Sequence, residues 1–326
     1  MRRGASPNSR RPTTQQHPKD KHLNQDIHGL WPALLIPVTA DARVDSARAI
    51  AHAKRMLAAG CDGVTLFGTT GEGPAFSVAE RKALLEALLA SGVGPQQTVV
   101  VTSASALPDA IAIGRHAAQL GCHRQLYMPP FYFRQPRDAG IVEAVSQVVR
   151  GIDDAQLKLL LYHIPGLSSV PFSHASIATL AQRHPGQVIG VKDSSGDLEH
   201  GLALARAFPS LSILVGAEQH VAATMRAGGS GSINGLANIA PGLLRRIVAA
   251  PNAVAPDDER LVRELLALLS VMPNMQFVCV YKTMLAEQTG DDAWLHVRAP
   301  LCPLDAAEAQ SVRAGYRAIG SLLSLV

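Results

Sequence analysis

Short apolar runs and longer amphipathic segments take turns along most of this chain. The runs are LWPALLIPVT (30–39), DGVTLFG (62–68), QTVVVTSAS (97–105), RQLYMPP (124–130), KLLLYHIP (158–165), QVIGVKDSS (187–195), LSILVGAE (211–218) and GSGSING (229–235). Most are continuous in Val, Ile and Leu, which is how strands buried on both faces read. Between them, apolar residues recur at helical spacing. Segment 46–60 gathers Ala49, Ile50, Ala53, Met56 and Leu57 on one face and stops at Gly60. Segment 77–92 opens with Ser77, followed three residues later by Glu80, the pattern of a capping box. Comparable segments at 108–120, 138–150, 173–184, 197–207, 219–227 and 241–250 complete eight strand–helix units.

Eight such units in about 220 residues predict a (β/α)₈ barrel, an α/β fold of that unit count and size. The rival, a doubly wound sheet, usually carries G-x-G-x-x-G after its first strand, and this chain has no such motif. From residue 256 the pattern changes. Three helical stretches follow with no strand between them, so a helical C-terminal region is expected over 256–326. The barrel then occupies 29–255, and residues 1–28 form a polar, Pro-containing leader expected to be disordered.

Charge narrows the partners. The 326 residues carry a net charge of +4, but six of the 30 Lys/Arg fall within the first 22 residues beside a single acidic side chain. The remainder is close to neutral, so nucleic acid is not expected as a partner. The leader lacks an apolar core of the secretory kind, and no apolar run approaches the ~18 residues of a membrane span. The four cysteines show no C-x-x-C spacing, which suits a reducing cytoplasm better than a disulfide framework or a zinc site. The twelve histidines show no H-x-x-x-H pairing.

In a (β/α)₈ barrel the active site lies where the strands end. Strand 2 ends in GTTGEG (68–73), strand 5 in LYHIP (161–165), strand 6 in VKDSSGD (191–197), strand 7 in VGAE (215–218), and strand 8 is GSGSING. Lys192 closes an apolar strand. A lysine there ordinarily snorkels to solvent. In a low-dielectric pocket its ammonium is disfavoured, and the free amine can attack a ketone to form a Schiff base. Tyr162, one strand away, reads either as a core ring with a bonded hydroxyl or as the acid/base that such chemistry needs. Thr69 and Thr70 lie in a glycine-rich turn whose N–H groups and hydroxyls suit a carboxylate, although a plain strand-to-helix turn has the same composition.

Taken together, GTTGE (68–72), YHIP (162–165), GVKDSSGD (190–197) and GSINGLANIAP (231–241) resemble, in order and spacing, the dihydrodipicolinate synthase/N-acetylneuraminate lyase family. The likeness runs from about residue 30 to 326 and includes VYKTMLAEQTG and RAPLCPLDAAEAQSV near the C-terminus. It implies a barrel with C-terminal helices, a homotetramer built as a dimer of dimers, and class I aldolase chemistry on pyruvate or a related 2-oxo acid, without metal or organic cofactor. It makes Lys192 the Schiff-base lysine, Tyr162 the proton-transfer tyrosine, and Thr69 and Thr70 the hydroxyl pair that holds the pyruvate carboxylate. Tyr132 resembles the tyrosine that reaches a neighbouring subunit's site, and Gly216 falls where the family lines the pocket with a backbone carbonyl.

Departures bear on the second substrate. The synthases read Y-N-x-P-x-R, whose arginine holds the carboxylate of aspartate semialdehyde. This chain reads YHIPGL, with Leu167 at the arginine position, and leucine makes no bidentate carboxylate contact. The stretch IPGLSS, which contains Leu167, and the position of Ser232 resemble the sialic acid lyases, whereas Thr69 stands in place of their usual serine and Ala217-Glu218 matches their pocket acids only in part; the substrate expected is a 2-keto-3-deoxy sugar acid. His163 replaces the common asparagine, either as a hydrogen-bonded histidine behind the site or as a contact to a substrate hydroxyl. Dihydrodipicolinate synthase is the competing activity, a dehydratase would use the same Schiff base, and a binding or regulatory barrel without turnover is the reading of another class.

Overall fold

The computed structural model describes Met1, residues 27–270 and residues 276–323. The leader expected over 1–28 therefore lies almost wholly outside the described residues. Each apolar run yields one strand: β1 (Gly29–Pro32), β2 (Val64–Leu66), β3 (Thr98–Val101), β4 (Arg124–Tyr127), β5 (Lys158–His163), β6 (Val188–Asp193), β7 (Ser212–Val215) and β8 (Gly231–Asn234). All neighbours are parallel, in the order β1-β8-β7-β6-β5-β4-β3-β2. The two ends of that order meet at a bridge between Ala33 and Thr65, where the Leu34 amide donates to the Thr65 carbonyl at 2.9 Å. The sheet thus curls into a barrel, as the unit count predicted, and not into an open doubly wound sheet.

The helices follow the amphipathic segments: α1 (Ser46–Ala58), α2 (Val78–Ala90), α3 (Leu107–Gln119), α4 (Asp138–Ile152), α6 (His174–Arg183), α7 (Leu198–Ala207), α8 (Val221–Arg226) and α9 (Pro241–Ala249). A single turn, α5 (Pro165–Ser168), precedes α6. Their ends are set locally. At the close of α1 the Cys61 amide donates to Met56 O and the Gly60 amide to Leu57 O, with Gly60 at φ +88°. That paired pattern is a Schellman motif, and its left-handed residue favours glycine. At the start of α2 the Ser77 hydroxyl accepts from the Glu80 amide while the Glu80 carboxylate accepts from the Ser77 amide, the reciprocal capping box.

Strand alternation separates two packing layers. On β5, Leu159 and Leu161 pack outward with residues of α4, α6 and α7, whereas Leu160 and Tyr162 join the core that fills the barrel. On β6, Val191 belongs to the outer layer. Lys192 therefore faces inward beside Tyr162, its register partner, and His163 and Asp193 face outward as the next pair.

Three further helices close the chain: α10 (Pro256–Leu269), α11 (Phe277–Thr289) and α12 (Ala306–Leu323). They are no remote appendage. Every residue of α11 from Val278 to Ala286 is buried. Trp294 packs edge-on against His52 of α1 at 5.1 Å, and Arg298 donates to Ala42 O, to Ala75 O and to both Glu80 carboxylate oxygens. These links fasten the segment after α11 to the barrel, and residues of α10 and α11 line its mouth.

Candidate active site

The ends of β2, β5, β6, β7 and β8 surround a cavity of about 610 Å³. Lys192 stands at its floor with only 3 % of its surface exposed. Its Nζ lies 4.2 Å from the centre of the Tyr162 ring. The Tyr162 hydroxyl and Thr69 Oγ1 share a hydrogen bond of 3.0 Å. An amine, a phenol and a threonine hydroxyl thus form a contiguous row, with Thr70 and Gly216 also on the wall.

The threonine turn has the shape it has because of its glycines. A Cβ on Gly71 would stand 2.5 Å from Leu34 O, and one on Gly73 would stand 1.8 Å from Phe67 O. Glu72 sits between them in the left-handed region at φ +54°, and its amide donates to Thr69 O at 3.0 Å. Non-glycine residues rarely take that conformation unless their surroundings hold them there. Behind the turn, Lys282 of α11 meets the Glu72 carboxylate at 2.5 Å, and both side chains are shut off from solvent. A pair buried this deep adds little net stability, because removing two ions from water costs several kcal/mol each.

Glu218, in the turn after β7, reaches the same cavity. Its Oε1 accepts from the Leu236 amide at 3.0 Å and the Gly235 amide at 3.1 Å. Burial raises its carboxyl above the usual carboxylate range, while those amides and the Lys192 charge act the other way. Tyr281 of α11 donates to Glu218 at 3.5 Å, and burial followed by the neighbouring carboxylate lifts the phenol well above its ordinary value. Leu167 on α5 lines the cavity and also an apolar neighbour of about 390 Å³ that shares Thr69. Lys192 is the only Lys or Arg among the described residues lining the main cavity. Arg298, on the neighbouring one, is tied to Glu80 and two carbonyls.

Three sequence candidates fall elsewhere. His163 does not reach the cavity. Its outward ring stacks on His200 at 4.4 Å, and its Nδ1 accepts from the Phe172 amide at 3.1 Å. Burial, then the His200 charge, depress it to about 4. Ser232 is fully buried inside β8, donating to Val215 O and accepting from the Asn234 side-chain Nδ2, both at 2.7 Å, so its hydroxyl is occupied. Tyr132 lies 77 % exposed on the loop after β4, paired edge-on with Phe133 and away from this chain's own cavity.

Conversely, Asn234, Ser194, Gln219, Phe277 and Tyr281 line the cavity without having been singled out from the sequence. Asn234 had a signal, a polar side chain at the end of the eighth strand, two residues after Ser232. His163, Asp193 and His200 each bring a nitrogen or carboxylate oxygen within 4.8 Å of the others, the spacing of groups that could share a metal ion. The His163 Nδ1, however, is already an acceptor, and Asp193 accepts from both the Ser195 amide and His200.

The profile of the dihydrodipicolinate synthetase family matches residues 26–319. An uncharacterized DapA-like lyase of Chloroflexus aurantiacus is 34% identical over 297 residues, covering 89% of this chain and 96% of the relative. The chain belongs to the dihydrodipicolinate synthetase family. Among solved structures, dihydrodipicolinate synthase from Agrobacterium tumefaciens superposes with a TM-score of 0.84 at 33% identity, covering 90% of this chain and 99% of that one. Proteus mirabilis N-acetylneuraminate lyase shares the fold with a TM-score of 0.80 at 23% identity, covering 90% and 98%. Family members are class I Schiff-base lyases that make or break a carbon–carbon bond on pyruvate-type substrates, and they are generally oligomeric. This chain is a lyase of that class.

Proposed function

We propose that the chain cleaves a 2-keto-3-deoxy sugar acid to pyruvate and an aldehyde, with Lys192 as the Schiff-base residue. The observation that carries this reading is the row Lys192–Tyr162–Thr69, an amine over a tyrosine ring whose hydroxyl bonds a threonine. The substrate carboxylate docks on the 69–72 turn, where Thr69 and Thr70 offer hydroxyls. The Lys192 amine adds to the C2 ketone, and loss of water leaves an iminium. Tyr162 takes the proton of the C4 hydroxyl as the C3–C4 bond breaks and the aldehyde leaves. The bond's electron pair rests as an enamine. Protonation at C3 and addition of water then release pyruvate and restore the lysine.

The sugar-acid assignment rests on the far wall. Leu167 takes the place of an arginine, and no cation besides Lys192 lines the cavity among the described residues. A second carboxylate, as in aspartate semialdehyde, has no counter-charge there. Glu218, Asn234, Gln219 and Ser194 instead offer partners for hydroxyls. We further infer that the enzyme works as a homotetramer in which the exposed Tyr132 of one copy completes the site of another. The four free cysteines suit a cytoplasmic setting. No helix among the described residues is long and apolar enough to cross a membrane.

Borohydride reduction in the presence of pyruvate tests the first half. A mass adduct on Lys192 is expected, and its absence would defeat the Schiff-base assignment. A panel of 2-keto-3-deoxy acids, assayed for pyruvate release, tests the second half. Rapid pyruvate-dependent consumption of aspartate semialdehyde would show that the Leu167 argument fails.

A further inference from the structure

The catalytic row ends at Thr69, and what holds Thr69 in place comes from outside the barrel. Glu72 lies three residues on, and its amide bonds back to Thr69 O at 3.0 Å. Its left-handed backbone is a conformation that persists only where the surroundings hold it. The Glu72 carboxylate points away from solvent to Lys282 Nζ at 2.5 Å, and neither of its oxygens has a hydrogen-bonding partner beyond that ion pair. Lys282 in turn donates to His296 O at 3.2 Å, which fixes the amine from the other side. The residue before it, Tyr281, bonds Glu218 across the cavity. One turn of α11 therefore grips two walls of the site.

We propose that Lys282 is a positioning residue for the lyase reaction, setting through Glu72 the height of the threonine turn against the Tyr162 hydroxyl. The inference rests on the Schiff-base reading of Lys192. The pair is poorly suited to a purely stabilising role, since apolar residues of similar volume stabilise as well or better. An ion pair does fix a distance and an orientation that apolar packing leaves loose. A hydroxyl row assembled from β2, β5 and β6 needs such a fix, because a misplacement of about 1 Å can cost on the order of 100-fold in rate.

The test uses pyruvate alone. In heavy water, enamine formation exchanges the methyl protons of pyruvate, and the rate at saturating pyruvate reads proton transfer through Tyr162. Lys282→Met is expected to slow exchange about 100-fold, with a smaller change in KM, while prolonged borohydride treatment still labels Lys192. The double variant Glu72→Gln/Lys282→Met removes both charges. It should regain the melting temperature to within about 5 °C and yet stay at least about tenfold slow in exchange. Glu72→Gln alone leaves Lys282 on His296 O and is the mildest form, expected to be slowed as well. Wild-type exchange per folded molecule in the double variant or in Glu72→Gln would overturn the proposal and leave the pair a packing feature. Failure to label Lys192 in the unaltered chain would instead defeat the Schiff-base reading itself.

Discussion

Two residue pairs sit side by side on β5 and β6, one facing each way. Tyr162 and Lys192 point into the barrel, and His163 and Asp193, next in register, point out. Both pairs are buried and rich in titratable groups. They differ in what remains open. On the outer side Asp193 accepts from the Ser195 amide and from His200, and His163 accepts from the Phe172 amide. On the inner side the amine and the phenol border the cavity. Burial and ionisable chemistry alone do not mark a candidate site; access to a cavity that could take a substrate does.

Breaking the inner pair should have the largest effect. Lys192→Met is expected to lose on the order of 10⁴-fold or more in turnover, with no borohydride adduct, as read by intact mass and pyruvate release. Tyr162→Phe keeps the ring beneath the amine and removes only the hydroxyl. We expect a loss of about 10²- to 10⁴-fold, with the lysine adduct still trapped on long incubation. At the rim, Leu167→Arg restores a cation to the cavity wall. It should raise pyruvate-dependent consumption of aspartate semialdehyde by about tenfold while lowering cleavage of the sugar acid.

The outer pair should give the smallest catalytic effect and a different kind of response. His163→Asn is expected to leave turnover at neutral pH within about threefold of the unaltered enzyme. Its signature is stability against pH. A histidine depressed to about 4 in the fold and near 6.5 when unfolded contributes stability that is complete above about 6.5. As pH falls from there towards 4, the unfolded chain takes up the proton first and the melting temperature drops. The variant should lose less melting temperature over that window, a difference calorimetry would resolve. An equal fall in both proteins would show that other groups, such as the buried His52 at about 3, carry the acid sensitivity.

The same comparison explains what could be read from the sequence. The barrel was legible because parallel strands buried on both faces are continuous apolar runs, and each of the eight is a strand in the structure. The placement of Lys192, Tyr162, Thr69 and Thr70 on the cavity was legible because a polar residue at the end of such a run has one natural place to go. The two readings of His163 could have been decided by the period of two, since an inward Tyr162 turns its neighbour outward, behind the site. Ser232 was misplaced for a different reason. It lies on the strand that carries Asn234 but is closed off by Val215 O, and depth within a barrel leaves no trace in a linear pattern. Phe277, Tyr281 and Lys282 were invisible because α11 is buried nearly all round. A helix with no polar face does not announce which of its sides meets a cavity.

The glycine turn has a practical meaning for anyone who would retarget this enzyme. Backbone atoms press on residues 71 and 73 so closely that no side chain fits there. The turn proposed to receive the 2-oxo acid is in effect cast in one piece. Leu266, Leu269 and Phe277 form a ceiling of ordinary side chains contributed by helices added after the barrel. A library confined to that ceiling would vary which aldehyde is accepted while leaving the shared half of the reaction untouched.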